Sequence, residues 1–220
     1  MKKIVSVIGV MVALVLSLTG CVKMNVDLAV SSPEKATLNM TVAVDKNALG
    51  GRPFKDALTQ VGVSEESLFK GFPEGYTHAP YDKDGFQGFT ITAADKPLTE
   101  ISDNSGKFGP KFAIEYRDGL YYFSGQGLGG NDTSTLTEAN MTVTFPGKVT
   151  EASAGGTIEG NTVTFDMRTA TGIMTATAKE ADHSAIFLSL LFGGLALVGA
   201  VVAVGMMRKP EKAVAHADHA

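Results

Sequence analysis

From residue 22 to residue 179 the chain alternates apolar and polar positions over much of its length. Val22, Met24, Val26, Leu28 and Val30 alternate with Lys23, Asn25, Asp27 and Ala29, the period-2 signature of a strand with one buried face. After Ser31-Ser32-Pro33-Glu34 the pattern returns in Ala36, Leu38, Met40, Val42 and Val44, so the two runs predict an antiparallel pair. Phe112, Ile114 and Tyr116 run into Asp118-Gly119, a strong two-residue hairpin signal, and Leu120 to Phe123 return. Met141, Val143 and Phe145 predict a strand stopped by Pro146-Gly147. Short strands follow at Val149 to Ala152 and Thr157 to Glu159, with Gly160-Asn161 as the turn into Thr162 to Asp166. A last strand is expected over Ile173 to Lys179.

Helical periodicity is scarcer. Pro53 suits a first helical position, and Phe54, Ala57, Leu58 and Val61 form one stripe. Ser64 is a candidate N-cap for a short turn carrying Leu68 and Phe69, and Thr99-Glu100-Ile101 hints at another. Gly71 to Gly88, rich in Gly, Pro and aromatic residues, reads as a long ordered connection. The expected fold class is α+β: mainly antiparallel sheet with one or two short helices, plus one C-terminal transmembrane helix.

That last element comes from the chain ends, which break the alternation. Met1-Lys2-Lys3 precedes an uncharged, mostly apolar run from Ile4 to Leu16, the layout of a secretory signal peptide. Leu18-Thr19-Gly20-Cys21 then resembles the bacterial lipobox, in which the Cys thiol receives a diacylglyceryl group and the peptide is cut between Gly20 and Cys21. Small Thr19 and Gly20 suit a narrow peptidase site, and a thiolate is the nucleophile that thioether formation needs. Ala185 to Met207 run 23 positions without a charge, long enough to cross a hydrocarbon core as a helix. Arg208, Lys209 and Lys212 follow, which by the positive-inside rule puts the C-terminus in the cytoplasm. The expected organisation is a removed signal peptide over 1–20, an extracytoplasmic domain over 21–183, a membrane helix over 184–207 and a cytoplasmic tail over 208–220. Neither end of the domain carries a flexible stalk, so it is expected to sit close to the bilayer.

Charge narrows the partners. Residues 22–183 hold 14 Lys+Arg against 21 Asp+Glu, an acidic domain that argues against nucleic acid. A single cysteine excludes an intramolecular disulfide and any cysteine-based zinc site.

Catalytic chemistry finds little support. A Ser/His/Asp hydrolase needs a histidine, and between residues 22 and 183 there are only His78, in a Gly/Pro-rich stretch, and His183 beside the expected membrane span. No G-x-S-x-G, P-loop or H-E-x-x-H occurs. Asp82-x-Asp84-Gly85 has the start of a calcium loop, but Ala93 stands where its closing Glu belongs, so a polar turn is the simpler reading. His216, Asp218 and His219 read more simply as a short tail than as a metal site. No catalytic residue, metal site or cofactor is expected, and the only site residues assigned are Gly20 and Cys21. The apolar positions Leu38, Met40, Val42, Ile114, Tyr116, Met141, Val143, Phe145, Val163 and Phe165 make either a filled core or the lining of a lipid-sized cavity.

One run is more distinctive than strand patterning requires: Val143-Thr144-Phe145-Pro146-Gly147-Lys148-Val149, then Gly155, then Ile158 to Phe165. Together with Tyr81 to Gly88 and the lipobox, it resembles the LppM domain family of actinobacterial lipoproteins. In this chain Phe165 stands where the family pattern suggests Trp, and Ala154-Gly155-Gly156 replaces a simpler turn. The resemblance implies a β-rich surface domain with an apolar pocket, engaging envelope lipids or glycolipids without catalysis. The expected function is therefore a doubly membrane-anchored surface lipoprotein that binds or presents such a lipid. The alternative is a structural or assembly protein of the envelope acting through protein contacts.

Overall fold

The computed structural model describes residues 21–60, 62–129 and 133–181. Eleven strands and three short helices succeed one another in these residues: β1 (Val22–Val30), β2 (Lys35–Asp45), α1 (Phe54–Gln60), α2 (Glu65–Phe69), β3 (Tyr76–Lys83), β4 (Phe86–Pro97), α3 (Leu98–Phe108), β5 (Phe112–Arg117), β6 (Leu120–Gln126), β7 (Leu136–Thr144), β8 (Val149–Ala152), β9 (Gly156–Glu159), β10 (Thr162–Asp166) and β11 (Ile173–Lys179). They form a seven-stranded sheet in the order β3-β4-β2-β1-β7-β10-β9 and a four-stranded sheet in the order β5-β6-β11-β8.

The expected β1–β2 hairpin forms with Val26 opposite Met40 and Leu28 opposite Leu38, so the two apolar sets share one face. Asp118 and Gly119 both have positive φ in the β5–β6 turn, as the Asp-Gly signal required. Two features depart from expectation. β1 also pairs with β7 in parallel, which makes the larger sheet mixed. Residues 71–88, expected as a connection, contain the β3–β4 hairpin, turned by Asp84 and Gly85, again both at positive φ. Pro80 and the largely exposed face of β3 hid this strand, which is tolerable because β3 lies at a sheet edge.

The helical content is corrected too: the described residues form three helices, and the faint signal at Thr99-Glu100-Ile101 lies in the longest of them. The C-terminal transmembrane helix expected over 184–207 is not borne out. No helix among the described residues is long and apolar enough to cross a membrane, and residues 182–220 lie outside them. The eleven residues of α3 extend only about 16 Å at the helical rise, against a hydrocarbon core of about 30 Å.

Both sheets and all three helices bury their apolar residues in one cluster. The side chains read from sequence as core or pocket lining belong to it. Met141, Val143, Val163 and Phe165 are 0% exposed, and Tyr116 is the one member of that set only partly buried. Ring contacts join the two sheets, Phe123 to Phe165 at 6.2 Å and Tyr121 to Phe145 at 6.1 Å between centroids.

The opposite face of the seven-stranded sheet is polar. Register places Thr77, Thr92, Asn39, Asp27, Thr142, Thr164 and Thr157 side by side, one from each strand. A second row runs Thr90, Thr41, Asn25, Asn140 and Asp166.

Two hydroxyls at the smaller sheet show how polar groups are handled at the core. Ser105 of α3, 3% exposed, accepts from the Phe112 N–H at 3.0 Å and lies 2.9 Å from the Phe112 carbonyl, while Ser102 accepts from Ile114 N–H at 3.1 Å. These serines pair backbone groups along the edge of β5 and cover that edge against other chains. Tyr121, 0% exposed, has no hydrogen-bond partner for its hydroxyl among the described residues. Burial, with lesser contributions from Glu180 and Tyr116, pushes it up to about 12. Opposite outcomes are expected on removing the two hydroxyls. Ser105→Ala should lower unfolding stability by about 1–3 kcal/mol by orphaning a buried N–H. Tyr121→Phe should leave stability unchanged or raise it by roughly 1 kcal/mol. Urea denaturation of the two variants checks both.

Candidate functional site

Cys21, the residue assigned to lipidation, immediately precedes β1 and is half-buried. Its N–H donates to the Thr135 carbonyl at 3.1 Å, and its own carbonyl accepts from Asp45 N–H at 2.8 Å. The backbone of Cys21 is therefore fixed by the ends of β2 and β7. Gly20 lies outside the described residues.

The far end of the domain leaves from the other end of β7. The space a Cβ on Gly147 would need is filled by the carbonyls of Lys179 and Glu180. Cys21 and Glu180 are thus separated by the nine residues of β7, or about 30 Å of strand.

A groove of about 670 Å³ lies at one end of the four-stranded sheet. Phe112 and Ala113 of β5, Ser124 and Gly125 of β6, and Ile173 of β11 line it, with Lys111 at its margin. Glycines form the floor for packing reasons. A Cβ on Gly125 would press on Phe123 and Met174, and one on Gly127 would overlap the Ala170 carbonyl. Ile173 is 70% exposed, the most exposed large apolar residue among those described.

Hydrogen bonds link this groove to the end of the domain where Cys21 lies. Leu128 N–H donates to the Met167 carbonyl at 2.8 Å, and Met167 N–H donates to the Ala139 carbonyl at 2.8 Å. Ala139 lies opposite Met24, three residues along from Cys21. The groove and Cys21 therefore share one end of the domain.

The other residues weighed from sequence take structural roles. His78 stacks on Phe69 with centroids 3.7 Å apart, and its Nε2 lies 3.4 Å from a Glu65 carboxylate oxygen. Asp82 pairs with Lys46 and accepts from Gln87 Nε2 at 2.9 Å. Those two hydrogen bonds, Lys46 first, hold its carboxyl below the usual range, as befits a turn residue in an ion pair. Among the described residues no group of three His, Cys, Asp or Glu side chains is placed to hold a metal ion. His183, His216, Asp218 and His219 lie outside the described residues. Sequence reasoning missed the groove altogether. Its available signals were Ile173 out of phase with the buried positions of β11 and the glycines at 125, 127, 129 and 172.

Near Cys21 the polar face is tied together by Glu138. It accepts from Asn25 Nδ2 at 2.6 Å and pairs with Lys23 at 3.0 Å. Burial raises the Glu138 carboxyl, but these hydrogen bonds outweigh it, and the group stays below its ordinary value. A depressed folded-state pKa stabilises above the unfolded-state value, and that stabilisation is lost as pH falls through the folded-state value. Glu138→Gln should therefore lower stability at pH 7 by about 1 kcal/mol or less, given its partial exposure. The gap from wild type should close as pH is lowered to about 3, as chemical denaturation at the two pH values will show.

Comparison with known proteins places this geometry. No curated protein matches the chain in sequence. The NMR structure of the folded domain of Mycobacterium tuberculosis LppM is similar, with a TM-score of 0.51 and 19% identity over 74% of this chain and 92% of that one. At that identity the likeness is one of fold. The LppM domain model matches residues 23–180, nearly the whole of the two-sheet domain, and the chain belongs to the LppM domain family.

Proposed function

We propose that this chain is a membrane-associated surface lipoprotein, carrying diacylglyceryl on Cys21, whose domain binds or presents an envelope lipid or glycolipid in the groove between β5, β6 and β11. The observation that carries the reading is the shared position of groove and Cys21. A lipid on Cys21 would hold the groove at the bilayer surface, where an acyl chain has a short path into it. Groove chemistry supports the same reading. Ile173 and Phe112 offer apolar contact, the glycine floor lets a chain approach the backbone closely, and Lys111 offers a cation at the margin for a polar headgroup. Family membership supports a role at the envelope, and no catalytic step is assigned to the domain.

Native mass spectrometry of the full-length protein, extracted from its own membrane in mild detergent, tests the proposal. Wild type should carry a discrete lipid adduct beyond the diacylglyceryl mass. Cys21→Ser should lack the diacylglyceryl mass and retain the adduct, and Ile173→Asp or Ala113→Arg should lose the adduct. A clean mass for wild type, or an adduct unaffected by both groove substitutions, would overturn the reading. Retention of a stoichiometric protein in place of lipid would favour an assembly role.

A further inference from the structure

The polar face of the seven-stranded sheet is a second surface with a chemistry of its own. Its Thr and Asn side chains are half-buried or exposed, while Ala43, opposite Lys23 and Gly88, is buried. The two central rows consist mainly of Thr and Asn, short side chains that present hydroxyls and amides in place of long charged groups. Charges at the margin cancel, Lys23 against Glu138 at 3.0 Å and Asp166 against Arg168 at 2.8 Å. Asp27, exposed at the centre of the seven-residue row, and Glu159, opposite Thr162 on β9, are carboxylates without a cation among the described residues, and Lys83, opposite Phe86 on β3, is an exposed cation at the other margin.

We propose that this face docks a neutral, polyhydroxylated glycan chain lying across the strands. Charge narrows the partner: a face whose exposed carboxylates Asp27 and Glu159 outnumber its unpaired cation Lys83 repels nucleic acid and anionic headgroups, while a sugar hydroxyl can donate to Asp27. The chain has no Trp, and Arg168 at the margin is held by Asp166, so the anchors that dominate protein interfaces are not offered here. Its hydroxyls are already fixed. Thr92 donates to Asn39 at 2.8 Å, while Thr144 meets Thr162 at 3.0 Å, Thr41 meets Thr90 at 3.3 Å and Thr142 meets Thr164 at 3.4 Å. β-Branched side chains held this way lose little entropy on binding, and each hydroxyl retains capacity for a second bond. Strands about 4.8 Å apart repeat at close to the length of a pyranose ring, so successive sugars meet successive polar side chains along a row of roughly 29 Å. At the β3 margin Tyr81 stands opposite Gly88 on the same face, an aromatic ring beside a position where a Cβ would overlap the Val42 carbonyl.

This surface is separate from the groove, so the two proposals stand or fall independently. Affinity electrophoresis of the full-length protein in detergent, through gels containing dextran, galactomannan or β-1,3-glucan, reads binding as retardation. At least one of these neutral polysaccharides should retard wild type. Asp27→Asn should weaken binding roughly three- to tenfold. Asn39→Lys with Thr142→Lys, which raises long charges from the row, should weaken it by more than about tenfold. Ile173→Asp should leave it unchanged. A urea midpoint for each variant confirms that it is folded. The proposal is overturned if none of the three polysaccharides retards wild type, or if folded row variants bind as wild type does. Self-association in analytical ultracentrifugation that the lysine pair abolishes, without retardation by any glycan, would assign the face to a second copy of the chain instead.

Discussion

The register of β1 is the constraint on which the rest of the domain depends. This strand begins one residue after Cys21 and lies at the middle of the seven-stranded sheet, antiparallel to β2 and parallel to β7. A one-residue slip would exchange its faces, sending Val26 and Leu28 to water and Asp27 into the core. Because β2 and β7 take their register from β1, one alternation sets which face of the sheet is apolar and which carries the Thr and Asn rows. It also fixes the backbone of Cys21, whose carbonyl is held by Asp45 N–H at the end of β2.

From that frame the smaller sheet acquires its place. Aromatic contacts between β6 and the residues at and beyond the ends of β7 and β10 join the two sheets, and the serines of α3 cover the edge of β5. The groove lies where this packing stops. The Gly127 backbone comes too close to the Ala170 carbonyl for a Cβ, and Gly125 leaves room for the Phe123 and Met174 side chains, so glycine backbone forms much of the floor. Ile173, exposed beside this recess, is apolar surface that is costly to leave in water.

Much of this was legible in the chain. The β1–β2 pair, the Asp118-Gly119 hairpin and the turn at Gly160-Asn161 follow from alternation and from residues that accept positive φ, both local properties. The β3–β4 hairpin was not, because an exposed edge strand containing Pro80 has no alternation to display. The parallel β1–β7 pairing was equally silent, since more than a hundred residues separate Asn25 from Asn140 and no local pattern encodes which strands meet. The apolar positions first grouped as core or pocket lining are core, and the groove draws on residues such as Ala113, Ser124 and Gly127, which periodicity does not mark.

The sequence by itself therefore determined the secretory leader and lipidation motif as expectations, the strand-rich class, the buried face of each alternating strand and the resemblance to the LppM domain family. Each of these is written in residue type and short-range spacing. Tertiary structure alone decided that Cys21 and the groove occupy one end of the domain, and that Thr and Asn residues from six strands align in a row with Asp27 of β1. Both depend on register between strands far apart in the chain, which is set when the whole apolar face packs at once.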